Sequence, residues 1–297
     1  MPQTPHKDKL LAAIKNPKCS KDDRELLEKA LEAYEKWIAD IGEVKTSGKE
    51  RVKELTKLLN WYKDELEVEL IGKTGSNFMR RQKGQLKLDN SIMEEFLIYL
   101  MDKRILDGLP DFELEIGPQK AFMSLSFMPS SLGALKSKPT VAIKEKNQDF
   151  TIGKTIHYKF SPSTGFEAGK TSEGKFLLAV LAAECKVNLD KTMFQESAGT
   201  AGRLKQGCPL SRYYVLVEYL DMQPEDCRLT AIENVFLLRH AKRLPFEKRN
   251  VYEEIRTQHK DHPIDFEVVW KFVEEIQGFI SAVWHDPDEA LERGSFV

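Results

Sequence analysis

The chain lacks the features that mark membrane-bound, secreted and disulfide-bonded proteins. No apolar run approaches the roughly 20 residues of a membrane span, and no apolar segment of the secretory type stands near its start. Four cysteines, Cys19, Cys185, Cys208 and Cys227, are scattered without a C-x-x-C spacing, so neither a zinc site nor a disulfide framework is predicted. We therefore expect a reduced, cytoplasmic protein.

A strong excess of charge of one sign is also missing. The formal net charge is −2, although 31% of the residues are charged and 41% are hydrophobic. This composition predicts a folded globular protein, and 297 residues suit one large or two small domains. It gives no global basic signal for nucleic acid, so DNA binding must come from local clusters of basic residues.

Two amphipathic helices are predicted in the first part of the chain. Apolar residues recur at intervals of three and four over residues 27–41 and 52–66, which is the pattern of a helix with one buried face. Ser20 and Ser47 precede these patterns and are predicted N-caps. We expect the two helices to pack against each other.

Residues 71–88 differ in character from these helices. Five basic residues, no acidic residue and three glycines lie in this stretch, which predicts a loop. Such a loop can contact backbone phosphates, but a solvated loop without a ligand is an equally good interpretation. A later predicted helix adds two more basic residues. The candidate DNA contacts from both segments are Lys73, Arg80, Arg81, Lys83, Arg203 and Lys205.

The apolar period changes from helical to alternating after residue 110, which predicts a sheet. Strands are predicted at residues 122–127, 141–143, 147–152, 155–160, 176–183, 213–219 and 232–238, and helices at 91–107, 190–206 and 266–284. This order indicates an α/β core behind a helical region. His240, His259 and His262 lie in basic or polar stretches and are predicted to be surface residues.

The central strand is predicted from eight uninterrupted apolar residues at 176–183. A strand buried on both faces has this pattern, and a buried helical segment is the alternative. Glu184 and Lys186 follow directly. In a strand these two side chains point to one face and Cys185 to the other. An ion pair at a strand end is the simplest interpretation of this Glu-x-Lys triplet, and a catalytic site is the second.

A second carboxylate, Asp149, stands at the head of the predicted strand 147–152. Two carboxylates suit Mg²⁺, which prefers oxygen ligands and activates water for phosphodiester hydrolysis. The backbone carbonyl of Cys185 lies between Glu184 and Lys186 and is the candidate third ligand. Lys186 would orient the water or bind the scissile phosphate.

This arrangement resembles the PD-(D/E)XK nuclease superfamily, with Gln148 standing where the superfamily name has proline. Several further stretches are similar to subunits of the BbvCI-like type II restriction endonucleases. These stretches are residues 92–96, 122–127, 148–153, 183–186, 197–205, 235–239 and 284–294. The resemblance covers about residues 88–294, and the helical part before them matches only loosely.

The resemblance implies a restriction-endonuclease-like core, a central mixed sheet flanked by helices, over residues 88–297. Residues 1–87 would form a helical arm that contacts DNA or a second subunit. The implied activity is Mg²⁺-dependent cleavage within a short site of the CCTNAGC kind, with Ca²⁺ as a non-catalytic substitute. Asp149 and Glu184 would be metal ligands, Lys186 the catalytic lysine, and Glu95 or Glu94 a supporting acid.

The implied assembly is a dimer on double-stranded DNA, homodimeric or with a related subunit, in which each subunit cuts one strand. A companion DNA methyltransferase in the same prokaryotic system is also implied. Two alternatives remain open from the sequence. One is a DNA-binding subunit that positions a catalytic partner, and the other is a nuclease of repair or recombination that recognises DNA structure.

Overall fold

A mixed β-sheet forms the middle layer of the protein. The computed structural model describes residues 3–84, 88–110, 112–282 and 287–295. Within these residues the strands are β1 (Glu115–Phe127), β2 (Val141–Phe160), β3 (Ser172–Leu189), β4 (Arg212–Leu220) and β5 (Asn234–Lys242). They lie in the order β1-β2-β3-β4-β5. The pairs β1–β2 and β2–β3 are antiparallel, whereas β3–β4 and β4–β5 are parallel. The predicted α/β architecture with a mixed sheet is confirmed.

Helices precede the sheet and cover it. They are α1 (Pro5–Ile14), α2 (Lys21–Glu43), α3 (Gly48–Lys63), a π-helical segment (Asp64–Gly72), α4 (Asn77–Gly84), α5 (Leu88–Leu100), α6 (Lys191–Gly207), α7 (Tyr252–Asp261), α8 (Phe266–Ile280) and α9 (Pro287–Arg293). Ser20 caps α2 by accepting the N–H of Asp23, as predicted. Ser47 occupies the N-cap position of α3 without a side-chain cap bond. None of the described helices combines the length and apolarity needed to cross a bilayer.

The central strand β3 is buried from both sides, which confirms the strand and excludes the helical alternative. Leu181 and Cys185 belong to a large core that also contains Trp37 of α2 and residues of α5 and α8. Ala182 belongs to a smaller core on the other face, together with residues of α6. The N-terminal helices thus pack on the same core as the sheet. The division of the chain at residue 88 stays a prediction.

The prediction of a loop at residues 71–88 is wrong, because α4 (Asn77–Gly84) lies within this stretch. Met79 and Gln82 are buried and anchor this short helix against its neighbours. High glycine and basic content concealed the helix in the sequence. Residues 85–87 and the side chain of Lys83 lie outside the described residues, and so does Trp284 near the end of the predicted closing helix.

Residues 141–160 form one strand, β2, where the sequence predicted three. One of the predicted strands ends at residue 152, but the chain continues through a β-bulge between Ile152 and Gly153. A Cβ at this glycine would collide with the carbonyl oxygen of Leu178 on β3. Glycine is therefore required by the close approach of β3, not by a chain break.

Two further helices, α1 and α7, were not predicted. Helix α7 packs against the π-helical segment and buries His259, which contradicts its prediction as a surface residue. Its Nδ1 lies 2.9 Å from the carboxylate of Asp64, and its Nε2 lies 3.6 Å from that of Glu67. His240 and His262 are exposed, as predicted.

Helix α1 is held by His6, which is fully buried. Its Nδ1 lies 2.8 Å from the hydroxyl of Ser91, and its Nε2 lies 2.6 Å from that of Tyr62. Burial, reinforced by the nearby charge of Lys63, lowers the pKa of His6 to about 3. The imidazole is therefore neutral in the folded protein at neutral pH.

We expect this histidine to make the protein sensitive to acid. Its pKa is lower in the folded than in the unfolded state, so its contribution to stability is lost as pH falls below about 6.5, the unfolded value. Between pH 7.5 and 5 the loss should be about 2 kcal/mol. Denaturant unfolding at both pH values measures it. His6→Gln should flatten the dependence by this amount, whereas His262→Gln, at an exposed position, should not. Parallel pH profiles for wild type and His6→Gln would contradict the prediction.

Candidate active site

The strands β2 and β3 separate at one point, and the predicted carboxylates lie there. The last described pair between the strands is Phe150 with Ala183. Beyond it, β2 continues only against β1, and β3 only against β4. Asp149 and Glu184 are the next residues on each strand. Because facing residues of an antiparallel pair share one face, both side chains point to the face that α6 covers, as does that of Lys186.

A backbone hydrogen bond ties Asp149 to the other strand. The carboxylate of Asp149 accepts the N–H of Cys185 at 3.0 Å. Cys185 lies between Glu184 and Lys186 in the sequence, so this hydrogen bond holds Asp149 beside the backbone that connects them. Burial alone would lower the pKa of Lys186, but the charges of Glu184 and Asp149 outweigh it and raise the pKa. The structure therefore brings the three predicted residues together.

Glu184 is held by three donors. Its Oε1 lies 2.6 Å from Nζ of Lys186, and its Oε2 accepts the hydroxyls of Ser197 at 2.5 Å and Tyr213 at 3.1 Å. Burial opposes ionisation, but the charge of Lys186 and these hydrogen bonds lower the pKa of Glu184. Glu184 is therefore a carboxylate at neutral pH and Lys186 an ammonium. Lys186 is suited to binding an anionic oxygen and not to removing a proton.

No role was predicted for Ser197 or Tyr213. Ser197 lies on the buried face of α6, the helix that follows β3 directly. Tyr213 lies on β4, two residues before Val215, which pairs with Glu184. The predicted strand, helix and strand at residues 176–183, 190–206 and 213–219 have the order of a βαβ unit, and the parallel pairing that this order indicates was the available signal for Tyr213.

The oxygen donors of this site are of the kind that a hard divalent cation prefers. Among the described residues there is no cluster of three or more His, Cys, Asp or Glu side chains that could hold a metal ion. Asp149 and Glu184 supply two carboxylates. The N–H of Cys185 points toward β2, and in a strand the carbonyl of a residue points the same way as its N–H. Two carboxylates, a carbonyl and waters form the ligand set that Mg²⁺ accepts.

The two candidate supporting acids on α5 lie in different surroundings. Glu95 accepts hydrogen bonds from the hydroxyl of Tyr34 at 2.6 Å and from a backbone N–H of α1. Its partners thus belong to the helical region. Burial, followed by the charges of Asp149 and Glu94, raises the pKa of the Cys185 thiol. Glu94 also has a partner in the helical region, Lys9 of α1 at 3.1 Å, and its charge acts on Cys185 of β3. The supporting role stays a prediction for both.

A cleft of about 410 Å³ lies beside Lys186, next to the carboxyl ends of β3 and β4. Of the predicted DNA contacts, Arg80 lines this cleft. Lys73 pairs with Glu69 and lies 5.2 Å from the ring of Tyr252, so its charge is already partnered. These positions give the DNA-contact hypothesis most support at Arg80.

The remaining predicted DNA contacts lie elsewhere. Lys205 pairs with Glu233, just before β5 begins. This is the end of the parallel strands opposite the cleft. Arg81 and Arg203 are exposed. Contacts from these three residues stay predictions that the position of the cleft does not favour.

The mixed sheet, with the candidate site at the point where β2 and β3 separate, is the arrangement of a restriction-endonuclease-like protein. A solved structure described as "native BbvCI A2B2 tetramer at low resolution" has a chain similar to this one, with a TM-score of 0.58. The sequence identity is 18%, and the likeness covers 94% of this chain and 97% of that chain. At this identity the likeness shows the fold, and it confirms the predicted fold class.

The sequence family identifies the protein more closely. The family model of the Bpu10I restriction endonuclease matches residues 85–296. The chain therefore belongs to the Bpu10I restriction endonuclease family and is a type II restriction endonuclease. The predicted resemblance to BbvCI-like restriction endonuclease subunits is confirmed. A search of the curated proteins finds no match.

Proposed function

We propose that this restriction endonuclease uses Mg²⁺ to hydrolyse DNA within a short site of the CCTNAGC kind, and that each subunit cuts one strand. The observation that supports the proposal is the hydrogen bond from Cys185 to Asp149, which joins both carboxylates and Lys186 where β2 and β3 part. Charged groups at the rim of a buried strand are costly unless they are paired and hydrogen-bonded, so a function is a reason for the chain to keep them there.

The roles follow from the contacts. Asp149, Glu184 and the carbonyl of Cys185 would hold the cation. When bound, a divalent cation supplies Lewis acidity and lowers the pKa of a coordinated water. Lys186, kept as an ammonium by its neighbours, would bind a non-bridging oxygen of the scissile phosphate and stabilise the charge that develops there. Glu94 or Glu95 would support the site from α5.

Cutting both strands requires two such sites. The chain supplies one trio within its described residues, and the similar solved structure is described as an A2B2 tetramer. We propose that this chain assembles with a second copy or with a related subunit, and that a companion DNA methyltransferase protects the host site. The chain would contribute the cut in one strand.

Digestion of a supercoiled plasmid of known sequence tests the function. With Mg²⁺ we expect cuts at fixed positions, mapped by run-off sequencing of the ends. Linear product indicates a self-sufficient assembly, and open circles indicate that a related subunit cuts the second strand. Ca²⁺ should support binding without cuts. Fragments at random positions, or intact plasmid even with a related subunit added, would contradict the proposal.

Removing the hydroxyls that hold Glu184 should weaken metal use without unfolding the protein. Ser197→Ala and Tyr213→Phe each remove one donor from a buried carboxylate. Loss of partners that orient a metal ligand typically costs roughly 10- to 100-fold in metal affinity or activity. We expect a higher Mg²⁺ requirement for plasmid cleavage, largest in the double variant. Ser281→Ala, on α8's C-terminal turn, is the control. Unchanged Mg²⁺ dependence in the double variant would show that these donors do not position Glu184.

A further inference from the structure

The charged residues that line the cleft beside Lys186 are mainly basic. Arg80, Arg243 and Arg249 join Lys186 in its lining, and Asp89 is the acidic residue among the described lining residues. In a parallel sheet, the crevice beyond the carboxyl ends of the strands is the usual place for a ligand. Here that crevice is contiguous with the catalytic strand.

Two of these arginines share one carboxylate. Arg243 lies 3.3 Å and Arg249 lies 3.5 Å from the same oxygen of Asp221. Arg249 also donates through Nε to the carbonyl of Leu244 at 2.7 Å. One carboxylate cannot neutralise two guanidinium groups, so a net positive charge remains. Both arginines keep about a third of their side chain exposed, 34% and 30%.

The backbone fixes this group relative to the catalytic strand. The N–H of Asp221 donates to the carbonyl of Leu189, the last residue of β3, at 2.8 Å. The N–H of Arg243 donates to the carbonyl of Leu220, the last residue of β4, at 3.0 Å. Leu189 follows Lys186 by three residues. The end of the strand that carries the proposed catalytic groups therefore positions Asp221, and the end of β4 positions Arg243.

We propose that Arg243 and Arg249, oriented by Asp221, bind a backbone phosphate of the strand being cut, adjacent to the phosphate at Lys186. The assignment rests on the proposed function of the Asp149–Glu184–Lys186 site. A guanidinium presents several N–H donors in a fixed fork that matches phosphate oxygens. A phosphate contact positions DNA without selecting sequence, so this site serves every DNA that enters the cleft.

The test is the salt dependence of DNA binding, measured by fluorescence anisotropy. The probe is a 30-base-pair duplex of arbitrary sequence, titrated with the full chain in Ca²⁺ over a series of salt concentrations. The slope of log affinity against log salt is roughly −0.9 for each phosphate neutralised. We expect Arg243→Ala/Arg249→Ala to make the slope shallower by roughly 0.9. Arg228→Ala should leave it unchanged, because Arg228 pairs with Asp226, is largely exposed and does not line the cleft.

Two further variants separate phosphate binding from a structural role. Arg243→Lys/Arg249→Lys keeps the charge, so the slope should stay and only the affinity should fall. Asp221→Ala frees both guanidinium groups and should tighten binding at every salt concentration. If the arginines served only to hold Asp221, Asp221→Ala would lower the melting temperature without tightening binding. That result, or a wild-type slope in the double alanine variant, would overturn the proposal.

Failure here is distinguishable from failure of the proposed function. The binding titration measures affinity without cleavage, and the plasmid assay measures cleavage by the wild type independently of that titration. A shallower slope in the double alanine variant, together with no cuts by the wild type even when a related subunit is added, would support the phosphate site and contradict the proposed function of the Asp149–Glu184–Lys186 site. A wild-type slope in a double alanine variant of an active nuclease would do the reverse.

Discussion

Asp149→Asn is expected to abolish DNA cleavage and to leave the fold and DNA binding intact. Asparagine keeps an oxygen that can accept the N–H of Cys185, so the contact between β2 and β3 survives. The substitution removes the charge that would hold the cation. Removing one member of a catalytic unit lowers turnover by roughly 10⁴-fold or more in well-studied enzymes. Lys186→Ala should have a comparable effect, because it removes the ammonium group beside Glu184.

Plasmid cleavage in Mg²⁺ and duplex binding in Ca²⁺ measure the two parts of this prediction. The matched control is Asp265→Asn, because Asp265 also accepts a backbone N–H, that of Glu267, at the start of α8. Asparagine is as good an N-cap as aspartate, so this variant should cut normally. Wild-type cleavage by Asp149→Asn or Lys186→Ala would remove the basis of the assigned site.

The trio was predictable because its signals are local. An apolar run at residues 176–183 defines the buried strand, and the charged residues that follow it are adjacent in sequence. The prediction of Asp149 was less direct, because it depended on first predicting the strand at residues 147–152. The prediction placed Asp149 near the start of a short strand, whereas eight residues of β2 precede it in the structure. Its position opposite Glu184 depends on where β2 and β3 part, and no local pattern encodes that point.

The rest of the cleft could not be predicted because its members meet only in the folded chain. Arg243 and Arg249 appear in the sequence as part of a basic stretch after β5. Their shared contact with Asp221 depends on the parallel order of β3, β4 and β5. Arg80 reaches the cleft from α4, a helix whose glycine-rich surroundings predicted a loop. In each case tertiary packing, not local propensity, decides where the charge lies.

A buried group of four charges joins the helical region to the sheet behind this cleft. Lys63 of α3 lies 2.8 Å from Glu218 of β4 and also pairs with Glu67. Arg239 of β5 lies 2.8 Å from the other oxygen of Glu218. Burial alone would lower the pKa of Lys63, but the charges of Glu218 and Glu67 outweigh it and raise the pKa. Two basic and two acidic side chains therefore pair with one another in the interior.

Glu218→Ala is expected to destabilise the protein more than any surface substitution, because it leaves two buried cations without their shared partner. Removing one partner of a buried ion pair costs about 3–5 kcal/mol. Glu267→Ala breaks the exposed pair with Lys49, 3.0 Å apart, and should cost less than about 1 kcal/mol. Urea unfolding compares the two.

The same reasoning predicts partial recovery when Arg239 is removed together with Glu218. The variant Glu218→Met/Arg239→Met replaces the charges with apolar volume, and such replacements are often neutral or stabilising. Lys63 then keeps Glu67 as its partner. The double variant should therefore be more stable than Glu218→Ala. A loss in Glu218→Ala no larger than that in Glu267→Ala would mean that water reaches the group. The ends of β4 and β5, which hold Asp221 and Arg243, would then depend on other contacts for their position.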